Sequence, residues 1–89
     1  MSESETDSLL PFPCPFAIKV MGEVPGFADL VIRLIEPYAP GIQAEQVSTR
    51  SSRNGRYVAV TVRITAQNRA QMDAIYQALS AHPKVLMAL

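Results

Sequence analysis

From Tyr57 to Ala66 the chain alternates strictly. Val58, Val60, Val62 and Ile64 are apolar and β-branched, and Tyr57, Ala59, Thr61, Arg63 and Thr65 stand between them. Successive side chains on a strand point to opposite faces, so the pattern predicts a strand over 56–66 with one apolar side. Branching at Cβ suits a pleated surface packed on that side. Asn54-Gly55 immediately precedes the run. Both residue types tolerate positive φ, which predicts a tight hairpin turn inside a loop over 51–55.

A shorter alternation covers 16–21, where Phe16, Ile18 and Val20 interleave with Ala17, Lys19 and Met21. Gly22 ends this first strand, and Gly22-Glu23-Val24-Pro25-Gly26 reads as a turn-rich loop. The period then changes. Phe27, Leu30, Val31, Leu34, Ile35 and Tyr38 recur at helical spacing, which predicts a helix over 27–38 with one apolar stripe. Asp29 suits the positive end of its dipole, and Pro37 with Pro40-Gly41 closes it. The weak alternation over 42–50 predicts a short polar edge strand. Asn68 with Gln71 three residues on resembles a capping box opening a second helix, whose stripe is Met72, Ile75, Tyr76 and Leu79. Pro83 stops it, and 84–89 reads as a final strand with Val85, Met87 and Leu89 on one face.

The order βαββαβ predicts an α+β, ferredoxin-like sandwich: a four-stranded antiparallel sheet, strand order 4-1-3-2, with both helices on one face. Phe16, Ile18, Val20, Val58, Val60, Val62 and Ile64 then meet the helices. The opposite face shows Ala17, Lys19, Met21, Tyr57, Ala59, Thr61 and Arg63. That mixture is too apolar for a purely solvated surface, and Lys19, Met21, Tyr57 and Arg63 are the candidate interaction residues.

A chain of 89 residues makes one domain, expected over 9–89. Residues 1–8 are polar and acidic and read as a disordered tail. Pro11, Pro13 and Pro15 make an extended lead-in, with Leu9, Leu10 and Phe12 available to pack on the domain. Formal charge is zero but unevenly spread. Residues 1–45 carry seven acids and two bases, and 46–89 carry six bases and one acid. Unlike patches of this kind favour self-association, so a homo-oligomer, a dimer, is expected. No apolar run is long enough to span a membrane, and the acidic start is the reverse of a signal peptide, so a cytoplasmic setting is expected.

Chemistry-bearing residues are sparse. His82 is the only histidine and sits at a predicted helix end, where it suits the dipole. Cys14 is the only cysteine, between two prolines, so it has no disulfide partner in the chain. No triad, acid–base pair or metal-ligand spacing surrounds either residue, and no enzyme activity, cofactor or metal is expected. Arg50, Arg53, Arg56 and Arg63 could meet phosphate. RNA-recognition modules share this topology but stack bases on several sheet aromatics, and the open face here has only Tyr57. A solvated hairpin tip is the favoured reading of that basic group, and nucleic acid is not the expected partner.

Glu23-Val24-Pro25-Gly26-Phe27-Ala28-Asp29-Leu30 resembles the strand-to-helix turn of ACT regulatory domains. That resemblance implies an amino acid or other carboxylate effector held at Gly22, Glu23, Pro25 and Gly26, against the free N–H groups of the helix start. A tight turn that merely needs glycine is the competing reading. Over a longer span, Phe12-Pro13-Cys14-Pro15-Phe16-Ala17-Ile18-Lys19-Val20-Met21-Gly22 is similar to the opening of the YbeD-like family of small bacterial proteins of unknown function. Ala39-Pro40-Gly41, Ser51-Ser52 to Gly55 with Tyr57, and the closing Val/Met/Leu strand also fit it. The resemblance implies an ACT-like fold, a cytoplasmic oligomer and a regulatory role near lipoate metabolism. It carries over no functional residues. The expected function is therefore a non-enzymatic regulatory or adaptor domain acting by protein association. A small-molecule sensor at the first loop and an RNA-binding module are the alternatives.

Overall fold

The computed structural model describes residues 11–89. The expected tail over 1–8, and any packing of Leu9 and Leu10, lie outside the described residues. The elements are β1 (Cys14–Glu23), α1 (Phe27–Ile35), a 3-10 turn (Ala44–Gln46), β2 (Val47–Ser51), β3 (Tyr57–Ala66), α2 (Arg69–Ala81) and β4 (Val85–Ala88). The strands form one antiparallel sheet in the order β2-β3-β1-β4, which is the expected 4-1-3-2 read from the other side.

The β-branched face of β3 is buried as the alternation requires: Val58, Val60, Val62, Ile64 and Ala66 join Ile18 and Val20 of β1. Phe27, Val31 and Ile35 of α1 and Met72, Ile75 and Leu79 of α2 complete the same cluster, so both helices shelter one side of the sheet. Phe16 is half-buried against it.

β1 starts two residues before the expected position, and Pro15 stands opposite Thr65 inside the ladder. Its parity explains the tolerance. Lys19 exchanges both main-chain bonds with Leu89, so odd-numbered residues of β1 aim their polar groups toward β4. No residue of β4 stands opposite Pro15, and a proline there forfeits no ladder bond.

Four further expectations are corrected. First, α1 ends at Ile35, not Tyr38. The N–H groups of Tyr38 and Ala39 both bond Ile35 O in a tightened turn around Pro37, and Tyr38 is exposed. Second, the expected strand over 42–50 begins only at Val47. Gln46 N donates to Gln43 O, and Gln46 Oε1 accepts from Gln43 N at 2.9 Å, which closes a turn where no β-branched residue favours extension. Third, the hairpin is not the two-residue turn that Asn54-Gly55 favours. Gly55 has φ 75°, but among the described residues none other than glycine has positive φ. Asn54 acts through its side chain instead: Oδ1 accepts from Arg56 N and from Ser52 Oγ, both at 3.0 Å. Fourth, β4 carries a bulge. Met21 pairs with Met87 but Gly22 pairs with Val85, so Leu86 is the extra residue. The bulge puts Val85 and Ala88 against the core and leaves Met87 and Leu89 exposed, rather than setting Val85, Met87 and Leu89 on one face.

At the start of α2, Asn68 Oδ1 accepts from Gln71 N at 2.8 Å, as expected of an N-cap. The return bond is displaced by one residue: Gln71 Oε1 accepts from Gln67 N, not from Asn68 N. Gln71 Nε2 also reaches Tyr38 O at 2.8 Å and ties the two helices' ends together.

Candidate functional site

Register determines what the open side of the sheet displays, because residues directly opposite each other share a face. One row across the strands is Ser48, Thr61, Lys19 and Leu89, and the next is Arg50, Ala59, Met21 and Met87. Tyr57 with Glu23, and Arg63 with Ala17, extend the face at either end. The expected interaction residues Lys19, Met21, Tyr57 and Arg63 are therefore brought together. Arg50, Met87 and Leu89 join them, and Leu86 adds apolar surface at the β4 edge. Exposure rises toward that edge, from 40% at Met21 to 50% at Met87 and 65% at Leu89. A contiguous exposed apolar strip of this kind is a mark of contact surfaces.

The β2 side of the face is polar. Met21, Arg50, Tyr57 and Ala59 border a shallow hollow of about 220 Å³. Arg56 places its guanidinium carbon 5.4 Å from the centre of the Tyr57 ring and its Nε 3.6 Å from the Glu23 carboxylate. Arg63 Nη1 lies 3.4 Å from Ser48 Oγ. Lys19, Arg50 and Arg63 form no ion pair among the described residues.

The first-loop candidates separate into two kinds. Gly22 is buried, and a Cβ there would run into the Phe27 ring. Its need for glycine comes from core packing. Gly26 has φ 77° and caps α1 with open space around it, so its need is conformational. Glu23, Pro25 and Gly26 line a cleft of about 390 Å³ with Leu30, Arg33, His82 and Lys84, while Gly22 does not line it. Two cations, one acid and the start of a helix meet there, a set able to hold a small anion.

His82 sits at the C-cap of α2 as expected. Nδ1 accepts a hydrogen bond from Lys84 N at 3.1 Å. Cys14 is half-buried in β1 and packs against the core. Among the described residues, no group of three or more His, Cys, Asp or Glu is placed to hold a metal ion. No helix among them is long and apolar enough to cross a membrane.

In the sequence Tyr76 shows only as part of an apolar stripe. Its hydroxyl donates to the main-chain oxygen of Leu89 at 2.7 Å and fastens the end of the last strand to α2. Burial pushes its phenol above the ordinary value. The sequence shows Arg50 only within a basic group and Met87 only on a face shared with Val85 and Leu89; their place on the open face depends on the register of β2 and on the bulge that reverses the parity of β4. Neither signal exists in a single sequence.

Residues 7–89 match the family described as "Protein of unknown function (DUF493)". The chain is 44% identical over 84 residues to the UPF0250 protein NE1487 of Nitrosomonas europaea, covering 93% of this chain and 97% of the relative. It is 42% identical over 91 residues to a UPF0250 protein of Neisseria gonorrhoeae, with all of both chains covered. Among solved structures, the solution structure of protein HP0495 from H. pylori superposes with a TM-score of 0.75 at 19% identity, covering 100% of this chain and 94% of that one. The expectation of a small bacterial family of unknown function is met, and so is that of the fold.

Proposed function

The chain belongs to the DUF493 family, whose description names no activity, and we propose that it acts by association: a non-catalytic adaptor or regulatory domain that holds another protein against the open face of its sheet. The single observation behind this reading is the exposed strip Met21–Met87–Leu89, with Leu86 beside it on the β4 edge. Burying such a strip against a partner is favourable at about 25 cal/mol per Å² of apolar surface. The test is site-specific photo-crosslinking in the cells that make the protein. A crosslinker at Met87 should give discrete protein adducts, and one at Gln77, exposed on α2, should give none. Adducts from Gln77 alone would refute the reading.

A homodimer is a second form of association. Lys19 takes both main-chain bonds of Leu89, so the neighbouring Ala88 aims its own outward where another strand can pair. Sedimentation at high concentration tests it, and a strict monomer would remove it. The cleft bordered by Arg33 and Lys84 favours one further reading, a sensor of a small carboxylate. A ligand bound only to the folded chain at a hundred times its Kd should add about 2.7 kcal/mol of apparent stability. A screen of amino acids and organic acids that raises no melting temperature would dismiss it.

A further inference from the structure

A face that holds a protein also limits which protein. Resting on the adaptor reading, we propose that the occupant is an acidic, extended segment of a partner protein. One of its apolar side chains fills the hollow beside Tyr57, and its carboxylates meet Lys19, Arg50 and Arg63.

Charge comes first. Three cations project from three adjacent strands of one face, and none has an ion-pair partner among the described residues. Among the described residues the only acidic side chain on the same face, Glu23, lies at its margin and is occupied by Arg56. An unneutralised cluster of one sign steers and selects a partner of the other.

Spacing comes second. Strands lie about 4.8 Å apart and same-face residues about 6.8 Å apart along a strand. From the register, Lys19 and Arg63 are then about 8 Å apart, Lys19 and Arg50 about 12 Å, and Arg50 and Arg63 about 14 Å. An extended segment presents same-face side chains about every 6.8 Å. Acids at alternate positions reach these cations in turn, with their long side chains taking up the difference.

The floor comes third. Ala17, Ala59 and Thr61 are small and let a backbone lie close between the cations. The hollow of about 220 Å³ opens between Met21, Tyr57 and Ala59 with Arg50 on its border, which suits one aliphatic anchor flanked by carboxylates. A nucleic acid would meet the same cations, but a single ring already approached by Arg56 offers its bases little to stack on.

The experiment uses the full chain and two labelled synthetic peptides read by fluorescence anisotropy: one carries Glu, Glu, Glu and Leu at successive alternate positions with Ser between them, so that all four side chains share one face, and the other carries Lys in place of each Glu. The Glu peptide should bind saturably and weaken with added salt. Arg50→Glu and Arg63→Glu should each weaken it about tenfold or more, and Gln77→Glu on the far side should leave it unchanged. Ala59→Leu, which fills the hollow, should weaken it as well. Both arginines are exposed, so those two variants keep the test decisive even if Ala59→Leu does not fold. Preference for the Lys peptide would overturn the acidic occupant while leaving association through the face intact, which the Met87 crosslinks decide separately. Displacement of the Glu peptide by oligouridine at lower concentration would give the face to nucleic acid and overturn the proposal. So would a wild-type chain that binds neither peptide. If a Glu3→Ser, Glu5→Ser, Asp7→Ser chain then binds the Glu peptide, the occupant is the chain's own acidic start and not a partner.

Discussion

Replacing Gly22 by alanine adds one methyl group at the point where β1 meets the first turn of α1. The backbone there is not left-handed, so alanine meets no conformational penalty. The cost is steric. A Cβ would enter the Phe27 ring, and Phe27 is itself 2% exposed in the core, so the ring has nowhere open to go. Overpacking of this kind costs about 1–3 kcal/mol. For a domain of this size each kcal/mol lowers the melting temperature by about 4–8 °C. Thermal and urea unfolding of Gly22→Ala, Phe27→Ala and the double variant form a cycle. Phe27→Ala alone should cost about 3–5 kcal/mol through the cavity it leaves. With the ring gone, Gly22→Ala should be nearly neutral or mildly stabilising, since alanine restricts the unfolded chain. A coupling of about 1–3 kcal/mol is therefore expected. If Phe27→Ala does not fold, Phe27→Leu replaces it and should recover part of the loss. Equal cost of Gly22→Ala in both backgrounds, or a wild-type cost below about 0.5 kcal/mol, would refute the packing account. Gly26 is the internal control: its φ of 77° with open space around it predicts a backbone cost of about 1–2 kcal/mol that does not depend on Phe27.

Further outcomes follow from single contacts. Tyr76→Phe removes the bond to Leu89 O and should cost about 0.5–1.5 kcal/mol in urea unfolding near neutral pH. Burial raises the folded phenol above 10.0, so its contribution is complete below that pH and is lost as pH climbs past it. The stability difference between wild type and Tyr76→Phe should accordingly shrink above about pH 10, and a constant difference would contradict it. Asn68→Ala removes the acceptor for Gln71 N and should cost about 0.5–2 kcal/mol, with Asn68→Asp recovering most of it in the same melts. Ile75→Ala empties a fully buried site and should cost about 2–5 kcal/mol, read as a shifted urea midpoint.

What the sequence disclosed follows from which forces leave a period. Burial of one face writes itself into the chain at every second residue of β3 and at helical spacing in both helices, so Val58 to Ile64, Val31 and Ile75 were all placed correctly. Side-chain to main-chain bonds leave no period. Gln46, Gln71 and Asn54 each settle a local conformation through one side-chain amide. The first loop was legible as glycine-dependent but not as two different dependences, because the Phe27 ring reaches Gly22 only after α1 docks. Of the open face, residues on β1 and β3 were legible because those strands share a long register. Arg50 and Met87 were not, since one needed the true start of β2 and the other the bulge at Leu86.

That bulge links the fold to the surface. Without it, regular alternation would turn either Val85 or Met87 the wrong way. The four-residue β4 could not both cover the core beside Gly22 and set Met87 beside Met21. With Leu86 inserted, Val85 and Ala88 close the core while Met87 and Leu89 extend the apolar strip. The bond from Tyr76 then fixes Leu89 where the strip ends. Strand β2, on the other edge, carries Ser48, Thr49 and Arg50 after Val47, exposed polar residues that discourage pairing there. The two edges of the sheet are thus unlike: one is polar and charged, the other apolar and anchored. A partner lying across the open face meets cations toward β2 and methionine and leucine toward β4, and only an amphipathic surface of matching polarity satisfies both at once.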